Sequence, residues 1–67
     1  MTKFIKTQGN FRVYELDEKE CKQHGRVYPT FVCWDKDNYE DIGEMNLTEN
    51  ETETLDEMIK WCNEYSY

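Results

Sequence analysis

Val27-Tyr28-Pro29-Thr30-Phe31-Val32-Cys33-Trp34, followed by Asp35-Lys36-Asp37-Asn38, decides the fold. The first eight residues are dense in β-branched and aromatic types, which fit a pleated, buried surface. Pro29 has no amide donor, so the strand begins there or lies with that position at an edge. Asp35–Asn38 has the chemistry of a turn. Tyr39 to Met45, with Gly43, then reads as a weaker returning strand. Upstream, Lys3–Thr7 and Phe11–Leu16 are two further strand candidates, and Gln8-Gly9-Asn10 between them suits a tight hairpin. Asp17 to Arg26 reads as a polar loop. Downstream, Thr48 is a suitable helix N-cap, with Glu51 placed to complete a capping box. Leu55, Met58, Ile59, Cys62 and Tyr65 recur at helical spacing as one apolar stripe. Glu49, Glu53, Asp56, Glu57, Lys60 and Glu64 lie on the other side, where Asp56 and Lys60 are spaced to pair. The expected fold is one α+β domain over residues 1–67. A four-stranded antiparallel meander sheet carries a C-terminal helix on one face, in the order ββββα.

A chain of 67 residues supports one small core. Ten aromatics supply much of its volume and argue against a disordered chain. The net charge of −7 is unevenly divided. Residues 1–34 carry six cations against four acids, and residues 35–67 two cations against eleven acids. Between 35 and 57 ten carboxylates face the single cation Lys36. Such a surface repels phosphate backbones and anionic membranes and attracts basic proteins. Cys21, Cys33 and Cys62 are odd in number, without close pairs and without a preceding signal peptide. Free thiols in a reducing cytoplasm are therefore expected. No apolar run reaches membrane-spanning length.

From about Val27 to Trp61 the chain resembles the positive-cofactor-four family of single-stranded-DNA-binding transcription coactivators. The likeness lies in the strand ending in Trp34, the short acidic turn, the Gly-containing strand, and Asn46-Leu47-Thr48-Glu49 leading toward the helix. The resemblance implies a dimerising fold whose sheet grips unpaired DNA with basic and aromatic side chains. Where that family is rich in Lys and Arg before the helix, this chain has Glu40, Asp41 and Glu44. The family's DNA-contacting cations have no counterpart here.

Catalysis has little to work with: His24 is the sole histidine and Ser66 the sole serine. No catalytic residue, cofactor or bound metal is expected. A calcium loop starting at Asp35 fails because Tyr39 takes a ligand position and Glu40 the place of the turn glycine. Cys21, His24, Cys33 and Cys62 could together hold zinc, but only the first two are closely spaced.

The carboxylate run has a plain reading, a solvated face for solubility. The functional reading is a surface imitating DNA's charge, since the acids are contiguous and few cations neutralise them. The leading expectation is thus a non-enzymatic acidic inhibitor. It would dock on a basic nucleic-acid-binding protein, such as a nuclease complex, and not on nucleic acid itself. In size and charge such a chain looks like phage anti-restriction and anti-CRISPR proteins. The expected contacts are Asp35, Asp37, Glu40, Asp41, Glu44, Glu49, Glu53, Asp56 and Glu57, with Trp34 and Tyr39 adding apolar area. A second copy of the chain, giving a homodimer, is a further candidate partner. One alternative is a divergent single-strand-binding protein using Lys3, Lys6, Arg12 and Arg26 with Phe11 and Tyr14 as stacking surfaces. Another is a small zinc-stabilised module built on Cys21 and His24.

Overall fold

The computed structural model describes residues 2–37 and 48–66. In chain order they form strand β1 (Lys3–Gln8), β2 (Phe11–Leu16), helix α1 (Glu18–Gln23), β3 (Thr30–Asp35), β4 (Asn50–Thr52) and helix α2 (Leu55–Tyr65). The strands make one antiparallel sheet in the order β1-β2-β3-β4. Helix α2 packs on it, giving the α+β architecture expected from the strand and stripe patterns.

The first hairpin turns at Gly9-Asn10, with Gly9 at φ 60°, a backbone state that L side chains rarely adopt. Edge strand β1 has an irregular register between Phe4 and Lys6 and exposes Lys3 and Lys6. A bulge and charged side chains are two ways of discouraging strand addition at an edge. Strand β3 begins directly after Pro29, so Val27 and Tyr28 lie outside it and are exposed. Its next turn is set by Asp35, whose Oδ1 accepts the Asp37 N–H at 2.9 Å.

Two expectations need correction. Asp17–Arg26 is not a plain loop, because Asp17 caps α1: its carboxylate accepts the Glu20 N–H at 2.8 Å. The Glu20 side chain returns to the Asp17 N–H, a reciprocal capping box that sequence spacing could have signalled. Helix α2 is capped by Thr54, not Thr48; the Thr54 hydroxyl accepts the Glu57 N–H at 3.2 Å. The chain offers Thr-x-x-Glu twice, and pairing of Asn50–Thr52 with Phe31–Cys33 makes the first copy part of a strand. The described fourth strand is therefore Asn50–Thr52, whereas Tyr39–Met45 falls outside the described residues.

Both faces of the sheet are covered. On one, Phe11, Val13, Phe31 and Cys33 meet Met58 and Cys62 of α2, with Ile5, Leu55 and Trp61 packed around them. On the other, Tyr14, Leu16, Val32 and Trp34 cluster with Cys21 of α1. The alternation of side chains along β2 and β3 sends neighbours to opposite faces, so both central strands are buried almost throughout.

The far end of α2 is clasped to the first turn. Ser66 Oγ accepts the Asn10 N–H at 2.9 Å and donates to the Cys62 carbonyl. Gln8 Nε2 donates to Asn63 Oδ1 at 2.6 Å. A side chain at position 9 would overlap the Ser66 hydroxyl and bring its Cβ to 2.6 Å from Ser66 Cβ. Gly9→Ala is expected to destabilise the fold by about 2 kcal/mol in urea unfolding. In a Ser66→Ala background, which itself costs about 1 kcal/mol, that penalty should shrink. Equal penalties in both backgrounds would show that the clasp is not its cause.

Candidate protein-binding surface around the fourth strand

Strand β4 is a three-residue edge strand, and its register sorts the side chains between two clefts. Glu51 stands opposite Val32 and so shares the α1 side of the sheet. Asn50 and Thr52 stand opposite Cys33 and Phe31 and share the α2 side. The first cleft, about 260 Å³, is lined by Arg26, Val27, Thr30, Glu51, Thr52 and Glu53, with Gly25 at its margin. The second, about 310 Å³, lies between β4 and α2 and is lined by Asn50, Thr52, Glu57, Lys60, Trp61 and Glu64. Thr52 belongs to both.

Arg26 crosses the first cleft to Glu51. Its Nε and Nη2 donate to the two carboxylate oxygens, the latter at 3.0 Å, a fork-to-fork pair. Its Nη1 donates to the His24 carbonyl at 2.8 Å, which orients the guanidinium from the end of α1. The hydrogen bonds from Arg26 hold the Glu51 carboxyl below the ordinary carboxylate range, against the opposing effect of partial burial. Both side chains are substantially solvent-exposed, so screening keeps the pair's contribution small.

The expected contact residues fall into four groups. Glu49, Glu53, Asp56 and Glu57 are exposed along β4 and the first turn of α2, and Asp37 is exposed beyond the end of β3. Asp35 is half-buried and engaged in its own turn. Tyr39, Glu40, Asp41 and Glu44 lie outside the described residues. Trp34 is corrected outright: it is 1% exposed, edge-on to Tyr14 with ring centroids 5.1 Å apart. Its indole N–H has no acceptor among the described residues. The burial still wins, since a large ring gains roughly 4–6 kcal/mol from the area it buries and an unmade hydrogen bond costs roughly 1–3. Glu51 and Glu64 lie outside the expected contact set, and Trp61, at the flank of the helix's apolar stripe, lines the second cleft. Glu51 alternates with Glu49 and Glu53, and Glu64 lies seven residues after Glu57, so both periods were readable.

Arg26 and Lys60 each line one of the clefts, whereas the lysines of β1 and α1 lie elsewhere. Lys3 and Lys6 are on β1, the opposite sheet edge, and Lys19 and Lys22 are exposed on α1. Phe11 and Tyr14, expected as stacking surfaces for unpaired bases, are 8% and 7% exposed and belong to the two core clusters. A base cannot stack on a ring whose faces already pack against protein. The zinc set is also taken apart. Cys21 is on one side of the sheet, Cys33 and Cys62 are on the other, and His24 is exposed at the end of α1. Among the described residues no three potential ligands come together. Burial, with Cys62 alongside, pushes the Cys33 thiol up to about 12, and burial raises Cys62 as well. Neutral thiols are poor metal ligands and poor nucleophiles.

No helix among the described residues is long and apolar enough to cross a membrane. No protein-family model, curated protein or solved structure matches the chain.

Two measurements follow from these groups. A carboxyl with a lowered folded-state pKa stabilises the fold above its unfolded value and loses that effect as pH falls through the folded value. The melting-temperature difference between wild type and Glu51→Gln should therefore be largest near neutrality and close below the ordinary carboxylate value; a constant difference down to strong acid would contradict the Arg26 pairing. All three cysteines are buried free thiols. A thiol-specific reagent at neutral pH should label them at the rate of unfolding, and rapid labelling of the native chain would show that the core is open.

Proposed function

We propose that this chain is a non-enzymatic, acidic protein-binding inhibitor that docks on the basic surface of a nucleic-acid-binding protein by imitating the charge of DNA. One observation supports this reading above others: the carboxylates of Glu49, Glu51, Glu53, Glu57 and Glu64 gather around β4 and its two clefts. The lysines of β1 lie across the sheet, roughly 14 Å away at the usual strand spacing. A face made only for solubility would mix signs. Around β4 these five carboxylates meet two cations, Arg26, which engages Glu51, and Lys60, while Glu53 and Glu64 have no protein partner among the described residues.

The spacing suits the role. Glu51 in β4 and Glu53 just past its end are two residues apart, at most about 6.6 Å along the chain, close to two charge steps along one strand of a duplex. Glu57 and Glu64 are two helical turns apart and form a second row along α2, on the other side of the sheet from Glu51. Such a surface steers a cationic cleft into register from a distance, and salt screens that steering. The setting this suggests is the host-cell cytoplasm, in the manner of phage proteins that disarm restriction or CRISPR nucleases. Size and charge suggest that comparison.

The test uses the immobilised chain and a variant carrying Glu53→Lys and Glu64→Lys, both at exposed positions. Wild type should retain a basic nucleic-acid-binding protein at low salt, release it at high salt, and lose it to competing duplex DNA. The double variant should bind at least about tenfold more weakly while its unfolding free energy moves by less than about 1 kcal/mol. Retention unaffected by duplex DNA, or equal retention by the variant, would sink the proposal.

A further inference from the structure

The cleft between β4 and α2 combines an aromatic ring with two acids. Trp61 is half-buried: it packs on Phe11 with ring centroids 5.1 Å apart and on Tyr65 at 4.8 Å, and it also lines the cleft. Glu57 lies four residues before it and Glu64 three after, so all three share one helix face. Glu57 spends one oxygen, Oε1, on the Thr54 hydroxyl at 2.8 Å. The Glu64 carboxylate has no protein partner among the described residues. Asn50 and Thr52 supply polar groups from the strand side.

We propose that this cleft is a receptor for one arginine side chain of the docking partner, its guanidinium lying against the Trp61 indole between Glu57 and Glu64. The inference rests on the reading of this surface as protein-binding and names the chemistry it takes. An anion is repelled by both carboxylates. A purely apolar group would strip water from them without replacing its hydrogen bonds. A cation is drawn by the carboxylates and by the negative face of the indole together. Among cations, guanidinium is flat, weakly hydrated and forked, so it can stack and hydrogen-bond to carboxylates at once; ammonium holds its water more tightly.

Lys60 lines the same cleft, three residues after Glu57 and four before Glu64. It is the chain's own competitor for the acids. Its side chain is exposed, and pairs between exposed side chains are weak, so an incoming arginine displaces it.

The experiment titrates the full chain with N-acetyl-arginine amide, using the neutral isostere N-acetyl-citrulline amide as control, and follows the indole N–H resonances by NMR. Trp34, buried in the cluster on the other face, is the internal reference. The Trp61 resonance should move and saturate while that of Trp34 stays in place. Citrulline should bind about tenfold more weakly, Glu64→Gln should weaken arginine about threefold, and Lys60→Gln should tighten it about twofold. Equal binding of citrulline, or arginine shifts as large at Asp37 and Glu49 as at Trp61, would overturn the proposal. If arginine leaves Trp61 unmoved while the Glu53→Lys, Glu64→Lys pair still abolishes capture, the arginine receptor is wrong and acidic docking stands. If arginine binds as described but duplex DNA fails to displace the captured protein, the receptor stands and the imitation of DNA falls.

Discussion

Burial of β2 and β3 on both faces is the constraint on which the rest of the molecule depends. A sheet whose two central strands carry apolar residues on both faces needs a cover on each side. Helix α2 supplies one through Met58 and Cys62, and α1 contributes to the other through Cys21. With so few residues available for the core, there is little spare area, and each buried side chain carries a large share of the stability. Cys33 and Cys62 fit this economy: they fill small gaps as apolar groups, and the environment that buries them also suppresses their thiol chemistry.

Fixing the core also fixes the distribution of charge. Because α2 lies across the sheet with its Met58–Cys62 stripe inward, Glu57, Lys60 and Glu64 are turned toward β4 and not toward β1. The acids of β4 then meet those of the helix on either side of one short strand. The lysines of β1 are held at the opposite edge by the same sheet order. The separation of sign along the sequence thus becomes a separation across the width of the sheet.

Much of the architecture was readable from local pattern. The Gly9-Asn10 turn, the strand after Pro29 and the stripe of α2 each follow from chemistry confined to a few neighbours. What pattern missed was decided at longer range or by competition. Thr48 and Thr54 present the same capping spacing, and strand pairing, a tertiary interaction, chose between them. Helix α1 was missed although Asp17-x-x-Glu20 announced it, because its charged residues lack an apolar stripe. At the site, the exposure of Glu49, Glu53, Asp56 and Glu57 followed from composition. The burial of Trp34 did not, since alternation along a strand with two covered faces gives no sign of which ring faces water.

The clasp between Ser66 and Asn10 joins residues 56 positions apart. During synthesis, β1 and β2 are made long before their partner at the end of α2 exists. The nascent hairpin therefore holds Phe11 and Val13 without their native cover until that helix is translated.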